Sequence, residues 1–332
     1  MTNRSAVLHS PRHLTIEDRP LPEPGPGEVL VRVVAVGICG SDVHYYEHGR
    51  IGPYVVEAPM VIGHEASGEI TAVGDGVPQD RIGELVALEP GVPCRNCATC
   101  LSGHYNLCPD VVFFATPPVD GAICEYVTLA AAFAHPAPEG LDHDHAAMAE
   151  PVSVGVWACR RANVQAGDRV LVTGAGPIGL LTAQVARAFG ARSVTVTDMN
   201  TSRVATASQL RLDGRLASAP LEEEYDVLLE CSGAPAALSA GMNAMARTGR
   251  VVLVGMGADN VSINVPLVQG RELTITGTFR YANTYPLALE LLASGAVDVA
   301  TVITHHFDID HTVDALTLAA REPDSLKAIV RL

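Results

Sequence analysis

Residues 167–190 read GDRVLVTGAGPIGLLTAQVARAFG. A short apolar run, RVLVT, enters a glycine turn, and an amphipathic helical pattern leaves it, which is the signature of a strand, a tight turn and a helix. Gly174, Gly176 and Gly179 fit the G-x-G-x-x-G spacing, with Ala175, Pro177 and Ile178 between them. Glycines at that spacing let the backbone approach a pyrophosphate, whose charge the helix N-terminus favours. Pro177 suits the first helical turn, where its missing N–H has no partner to lose. The following strand pattern, SVTVTD, ends at Asp198, nineteen residues beyond Gly179. A carboxylate there binds a ribose 2′-hydroxyl and repels a 2′-phosphate, which points to NAD over NADP. Arg203 pulls the other way, because a nearby arginine can serve a phosphate.

Outward from that turn, YDVLLECSG, RVVLVGMG and ELTITGTF recur as short buried strands, with helical segments between several of them. This alternation predicts a parallel sheet with helices on its faces. Residues before about 150 have another texture. EVLVRVVAVGICGSD and ASGEITAVGDGV are β-branched runs broken by glycine, and PLPEPGPGE is a proline-rich connection. The tail carries a helix, PLALELLASG, and a strand, ATVITHHFDI, with no crossover helix to continue the parallel sheet. We therefore expect a β-rich domain over 1–153, a dinucleotide-binding domain over 154–277, and a return to the first domain over 278–332.

The 332 residues, 48% of them hydrophobic and carrying a formal charge of −15, suit a globular enzyme and disfavour nucleic acid or anionic membrane partners. No apolar stretch approaches transmembrane length and no leader-type pattern opens the chain, so a reducing cytoplasm is the expected compartment. Clustered thiols in such a compartment read as metal ligands.

Such a cluster exists. Cys94, Cys97, Cys100 and Cys108 lie within CRNCATCLSGHYNLC. Four thiolates from one loop match a closed tetrahedral zinc site, which leaves no position for a substrate and is therefore structural. A second, dispersed set comprises Cys39, His64, Glu65 and Glu150. Thiolate, imidazole and carboxylate together bind zinc, and three such ligands leave a position open. His143 and His145 precede Glu150 closely, but read as a solvated loop and helix start.

The chain resembles the zinc-dependent medium-chain alcohol dehydrogenases over essentially its whole length, and most closely their polyol branch of sorbitol (L-iditol) and xylitol dehydrogenases. The motifs are GICGSDVHYYEHGRIG, GHEASGEI, the four-cysteine loop, FFATPPVDGAICEYV, EPVSVGVWACRR, GAGPIG and GTFRYANTYP. The resemblance implies an α/β protein with a GroES-like catalytic domain, a Rossmann domain and a homotetramer. It implies one catalytic and one structural zinc, NAD, and a small-molecule polyol as partner. By position, Cys39 and His64 match catalytic zinc ligands, and Glu65 and Glu150 match acidic positions near that zinc, either one able to ligate. Ser41 and His44 match a proton relay, while Tyr45, Ile51, Phe114, Thr116, Arg280 and Tyr281 match positions around the substrate. The activity implied is oxidation of a sugar alcohol's secondary hydroxyl to a ketose, an alkoxide on zinc passing hydride to the nicotinamide. A 2,3-butanediol or threonine dehydrogenase is the alternative within the family, and a non-catalytic NAD-binding redox sensor the alternative outside it.

One stretch departs from the family pattern. VATASQLRLDGRLASAPLEEE, residues 204–224, is short for a helix, a third strand and another helix. Returning from a third strand past two others spans about 22 Å, or some seven extended residues at about 3.4 Å each. With GRLAS as that strand no crossover helix fits, so either the crossover is an extended strap or the third strand is reduced, leaving that sheet edge thinly covered.

Overall fold

The computed structural model describes residues 2–221 and 224–332. The chain divides into two compact units, one made of residues 1–150 with Ile303–Leu332, the other of Pro151–Val302.

In the first unit the run Glu28–Gly37 is a central strand because its valines are buried on both faces, Val29, Val31, Val33 and Val36 all but inaccessible. It pairs antiparallel with Glu65–Val73, Tyr126–Ala130 and Lys327–Arg331. Register brings three distant segments to one point, since both Glu65 and Ile329 lie opposite Gly37. Helix Gly40–His48 starts immediately after this strand and ends at Gly49, which adopts the left-handed conformation at φ 68°. The tail enters as strand Ile303–Asp308, crosses through helix Thr312–Arg321, and finishes as Lys327–Arg331, parallel to its predecessor.

Among its described residues the second unit holds six parallel strands: β1 Arg169–Thr173, β2 Ser193–Asp198, β3 Asp213–Leu216, β4 Tyr225–Glu230, β5 Met245–Leu253 and β6 Thr274–Gly277. Their spatial order is β3-β2-β1-β4-β5-β6, so the winding reverses between β1 and β4, where open α/β sheets bind ligands. Helix α1 (Pro177–Ala188) joins β1 to β2, α2 (Thr201–Gln209) joins β2 to β3, and α3 (Pro235–Asn243) joins β4 to β5.

Two boundaries differ from those read in the sequence. Residues 278–302 belong to the second unit, so the return begins at Ile303 instead of 278, and the first changeover falls at Glu150 instead of 153. Helix Tyr285–Ala293 buries Ala288, Leu289 and Leu292, and an apolar face of that kind does not reveal from sequence which unit it covers. The third strand also starts one residue earlier than GRLAS and stops at Leu216. Among the described residues of the β3–β4 connection there is no helix. Ala217 N–H donates to Asp198 O at 2.8 Å, and Leu221 packs against the cluster of Tyr225, Leu228 and Met245. Glu222 and Glu223 lie outside the described residues.

Candidate functional site

The four-cysteine loop brings its ligands together. One sulfur from each of Cys94, Cys97, Cys100 and Cys108 lies within 4.8 Å of the others. A single turn, Ala98–Leu101, places Cys97 and Cys100 side by side, with sulfurs 3.4 Å apart. Thr99 and Cys100 draw the Cys97 thiol down to about 6, while burial and the neighbouring thiols push Cys100 up to about 12. Four sulfurs at this separation fit a tetrahedral cation.

The second cluster is Cys39, His64 and Glu65, whose ligand atoms also lie within 4.8 Å of one another. Cys39 sits at the N-terminus of helix Gly40–His48. Asp42, fully buried in that helix's first turn, braces both ligand segments. Its carboxylate accepts the N–H of Cys39 at 2.9 Å and of Gly63 at 3.0 Å, and lies 3.4 Å from His64 Nδ1. Burial opposes a charged ring at His64, but Asp42 and Cys39 outweigh it and raise its pKa well above the usual histidine value. A soft thiolate, an imidazole in anionic surroundings and a carboxylate form a donor set suited to zinc. Glu150, in the first turn of helix Ala149–Arg161, is also buried but is not a member of the triad.

Glu65 has a partner that no motif announced. Lys327 Nζ donates to both Glu65 carboxylate oxygens at 2.7 Å and to Ile38 O at 2.9 Å. All three ammonium protons are thereby used. The lysine and glutamate side chains are 3% and 0% exposed. Burial pulls Lys327 toward its neutral form, yet Glu65, Cys39 and Glu150 more than offset that and hold its pKa above the ordinary lysine value.

Ser41 is half-buried and His44 exposed on the same helix, three residues apart, with the His44 ring 4.6 Å from that of His48. Tyr45 is buried in the first unit's core, and Ile51 and Phe114 pack against that core. Thr116 is half-buried. In the second unit, Arg280 takes φ 52° and lays its guanidinium 4.9 Å from the Phe279 ring centre, while the Tyr281 ring meets that of Tyr285 at 5.7 Å. His143 and His145 start a short helix capped by Asp142, and His145 Nδ1 lies 2.6 Å from that carboxylate.

The glycine turn is built for close approach. Gly174 takes φ 90°, and a Cβ on Gly179 would fall 1.8 Å from Gly174 O. A Cβ on Gly176 would meet nothing within 4 Å, which leaves room above the N-terminus of α1. Pro177 and Ile178 open that helix. Asp198 accepts the N–H of Ala175 at 2.7 Å and of Asn200 at 2.8 Å, which fixes its carboxylate beside the turn. Arg203 lies in the first turn of α2, its N–H bonded to the Asn200 side chain.

Residues 25–139 match the profile of the alcohol dehydrogenase GroES-like domain, and residues 177–294 that of the zinc-binding dehydrogenases. The chain is 43% identical to sorbitol dehydrogenase of Bacillus subtilis, across 98% of this chain and 96% of that one. It belongs to the zinc-dependent medium-chain alcohol dehydrogenases. Human sorbitol dehydrogenase is 44% identical across 94% and 91% of the two chains, so the likeness lies with the polyol branch. An Escherichia coli dehydrogenase solved with NADH superimposes with a TM-score of 0.93 at 31% identity, over 100% of this chain and 99% of that one.

Two residues of this medium-chain dehydrogenase's site, Asp42 and Lys327, stand outside the set that the sequence points to. Asp42 lies within GICGSDVHYYEHGRIG, three residues after Cys39, at the spacing from which a carboxylate reaches back to cap a helix. Lys327 carries no local signal.

Two outcomes follow from the triad. Lys327→Met leaves Glu65 as an uncompensated buried charge, and should destabilise the zinc-free protein by about 3–5 kcal/mol. Zinc should restore part of that loss, because a cation takes over the pairing. Denaturant unfolding with and without zinc checks this, and equal stability of variant and parent in the zinc-free state would contradict it. Zinc also competes with the proton on His64, whose raised pKa makes the competition act at neutral pH and grow as pH falls. Apparent zinc affinity at this site should drop about tenfold per pH unit from the ring alone, as read by chelator competition at pH 7 and pH 6. Retention independent of pH would refute it.

Proposed function

We propose that the protein oxidises a sugar alcohol, D-sorbitol, xylitol or a close analogue, to a ketose with NAD. The carrying observation is the convergence of Cys39, His64 and Glu65 in a chain similar across nearly its full length to sorbitol dehydrogenases. Cys39, His64 and Glu65 are the proposed ligands of a catalytic zinc, with Glu150 contributing charge nearby. Cys94, Cys97, Cys100 and Cys108 are proposed to hold a second, structural zinc. When bound, zinc supplies the Lewis acidity that eases loss of an alcohol proton, and the nicotinamide accepts hydride.

The chain's own residues do the rest. Asp42 orients His64 and fixes the Cys39 peptide. Lys327 offsets the charge of Glu65, so the ligand set carries less negative charge and leaves the metal more electrophilic. Ser41 and His44 carry the released proton outward, the half-buried hydroxyl handing it to the exposed imidazole. Tyr45, Thr116, Arg280 and Tyr281 are proposed to contact the substrate's hydroxyls, with Ile51 and Phe114 supplying apolar surface. Gly174, Gly176, Pro177, Ile178 and Gly179 cradle the pyrophosphate, and Asp198 takes the ribose. Its carboxylate, fixed by Ala175 and Asn200, disfavours a 2′-phosphate, and this supports NAD over NADP despite Arg203. A cytoplasmic homotetramer completes the reading.

Initial rates on sorbitol, xylitol, 2,3-butanediol and threonine, with NAD and with NADP, test this. A polyol with NAD should be fastest, and a ketose the product. Cys39→Ala and His64→Ala should each abolish turnover while leaving the fold. Near-normal turnover in a metal-free preparation of either variant, or no NADH from any polyol in zinc-replete parent, would overturn the proposal.

A further inference from the structure

Glu230 ends β4, beside β1, at the point where the sheet reverses. Its carboxylate is buried, and no cation pairs with it among the described residues. It is instead surrounded by donors. Oε1 accepts the N–H of Ser232 at 2.9 Å, the N–H of Gly233 at 3.0 Å, the Ser232 hydroxyl, and Thr173 Oγ1–H at 3.3 Å. Oε2 accepts Gly233 N–H at 3.1 Å. The Ser232 hydroxyl passes the network on, accepting Ala234 N–H at 3.1 Å ahead of α3.

The segment this carboxylate gathers touches the nucleotide turn directly. A Cβ on Gly174 would sit 3.0 Å from Ser232 Cα. On the other side, Gly233 takes φ 68°, and a Cβ there would fall 2.2 Å from Met256 O, while one on Gly257 would fall 1.8 Å from Gly233 O. Residues 231–233 are therefore clamped between the Gly174 turn and the Met256–Gly257 segment that follows β5, in contacts made almost wholly by backbone. A carboxylate can only accept, and every polar group facing this one donates. Glutamine at the same place would turn an NH2 group toward donors and lose at least one bond.

We infer that Glu230 is a positioning residue for the dinucleotide: through Ser232 and Gly233 it sets the wall of the cradle against Gly174. This rests on the NAD reading above. Its chemistry is that of a fixed anion whose charge is absorbed by N–H and O–H groups, so it can sit near a pyrophosphate site without a counter-cation.

The test is a fluorescence titration with NADH on zinc-loaded parent, Glu230→Gln and Ser232→Ala. Losing a buried hydrogen bond predicts about a tenfold rise in Kd for Glu230→Gln, and a smaller rise for Ser232→Ala. KM for NAD should rise in parallel while kcat at saturating cofactor stays within about twofold. If Glu230→Gln does not fold, Ser232→Ala carries the test. Folded variants that bind NADH as tightly as the parent, whatever their melting temperature, would overturn the inference. A parent that binds no NADH would instead overturn the cofactor reading on which it rests.

Discussion

The buried pair of Lys327 and Glu65 is the constraint on which the first unit depends. Taking both charges out of water costs several kcal/mol per ion, and only full hydrogen bonding makes it tolerable. Here the ammonium has three protons and three acceptors, two on Glu65 and one at Ile38, whose next residue is Cys39. The last strand must therefore be seated for the carboxylate beside the candidate zinc ligands to be compensated. The chain supplies that strand only after the whole second unit, returning at Ile303 to a sheet whose preceding strand ended at Pro136. The pair also gives a physical reason for the register of Lys327–Arg331 against the end of Glu28–Gly37, since a one-residue slip would turn Lys327 to the other face.

The second unit solves a different problem, the close approach of backbone to an anionic ligand. Gly174 and Gly179 allow the first turn to fold tightly, Asp198 is fixed by the N–H groups of Ala175 and Asn200, and Glu230 gathers the next loop against that turn. Two buried or half-buried carboxylates thus shape the cradle, Asp198 held by backbone N–H groups and Glu230 by backbone N–H groups and two hydroxyls. A site built this way stays rigid without adding positive charge that would favour a 2′-phosphate.

What the sequence disclosed follows how local each signal was. The glycine turn, the four-cysteine loop and the end of β2 at Asp198 are contiguous patterns, and each lies in the structure where its spacing put it. Cys39, His64 and Glu65 were legible as chemistry, a thiolate, an imidazole and a carboxylate suited to one metal, and the fold groups Glu65, not Glu150, with the other two. That the described residues between β3 and β4 hold no helix was legible by counting residues against the distance to be spanned. Lys327 was not legible, because a lysine in a five-residue strand reads as an exposed charge and its partner lies 262 positions away. The return point failed for the same reason: the apolar face of Tyr285–Ala293 fits either unit until its neighbours are known.

Anomalous diffraction at the zinc edge tests most directly whether Cys39, His64 and Glu65 hold a divalent metal. Crystals of zinc-replete protein should show one peak among the four loop cysteines and another about 2.3 Å from Cys39 Sγ and about 2.1 Å from a His64 nitrogen. A single peak confined to the four-cysteine loop, with Cys39 and His64 bare under excess zinc, would contradict that assignment.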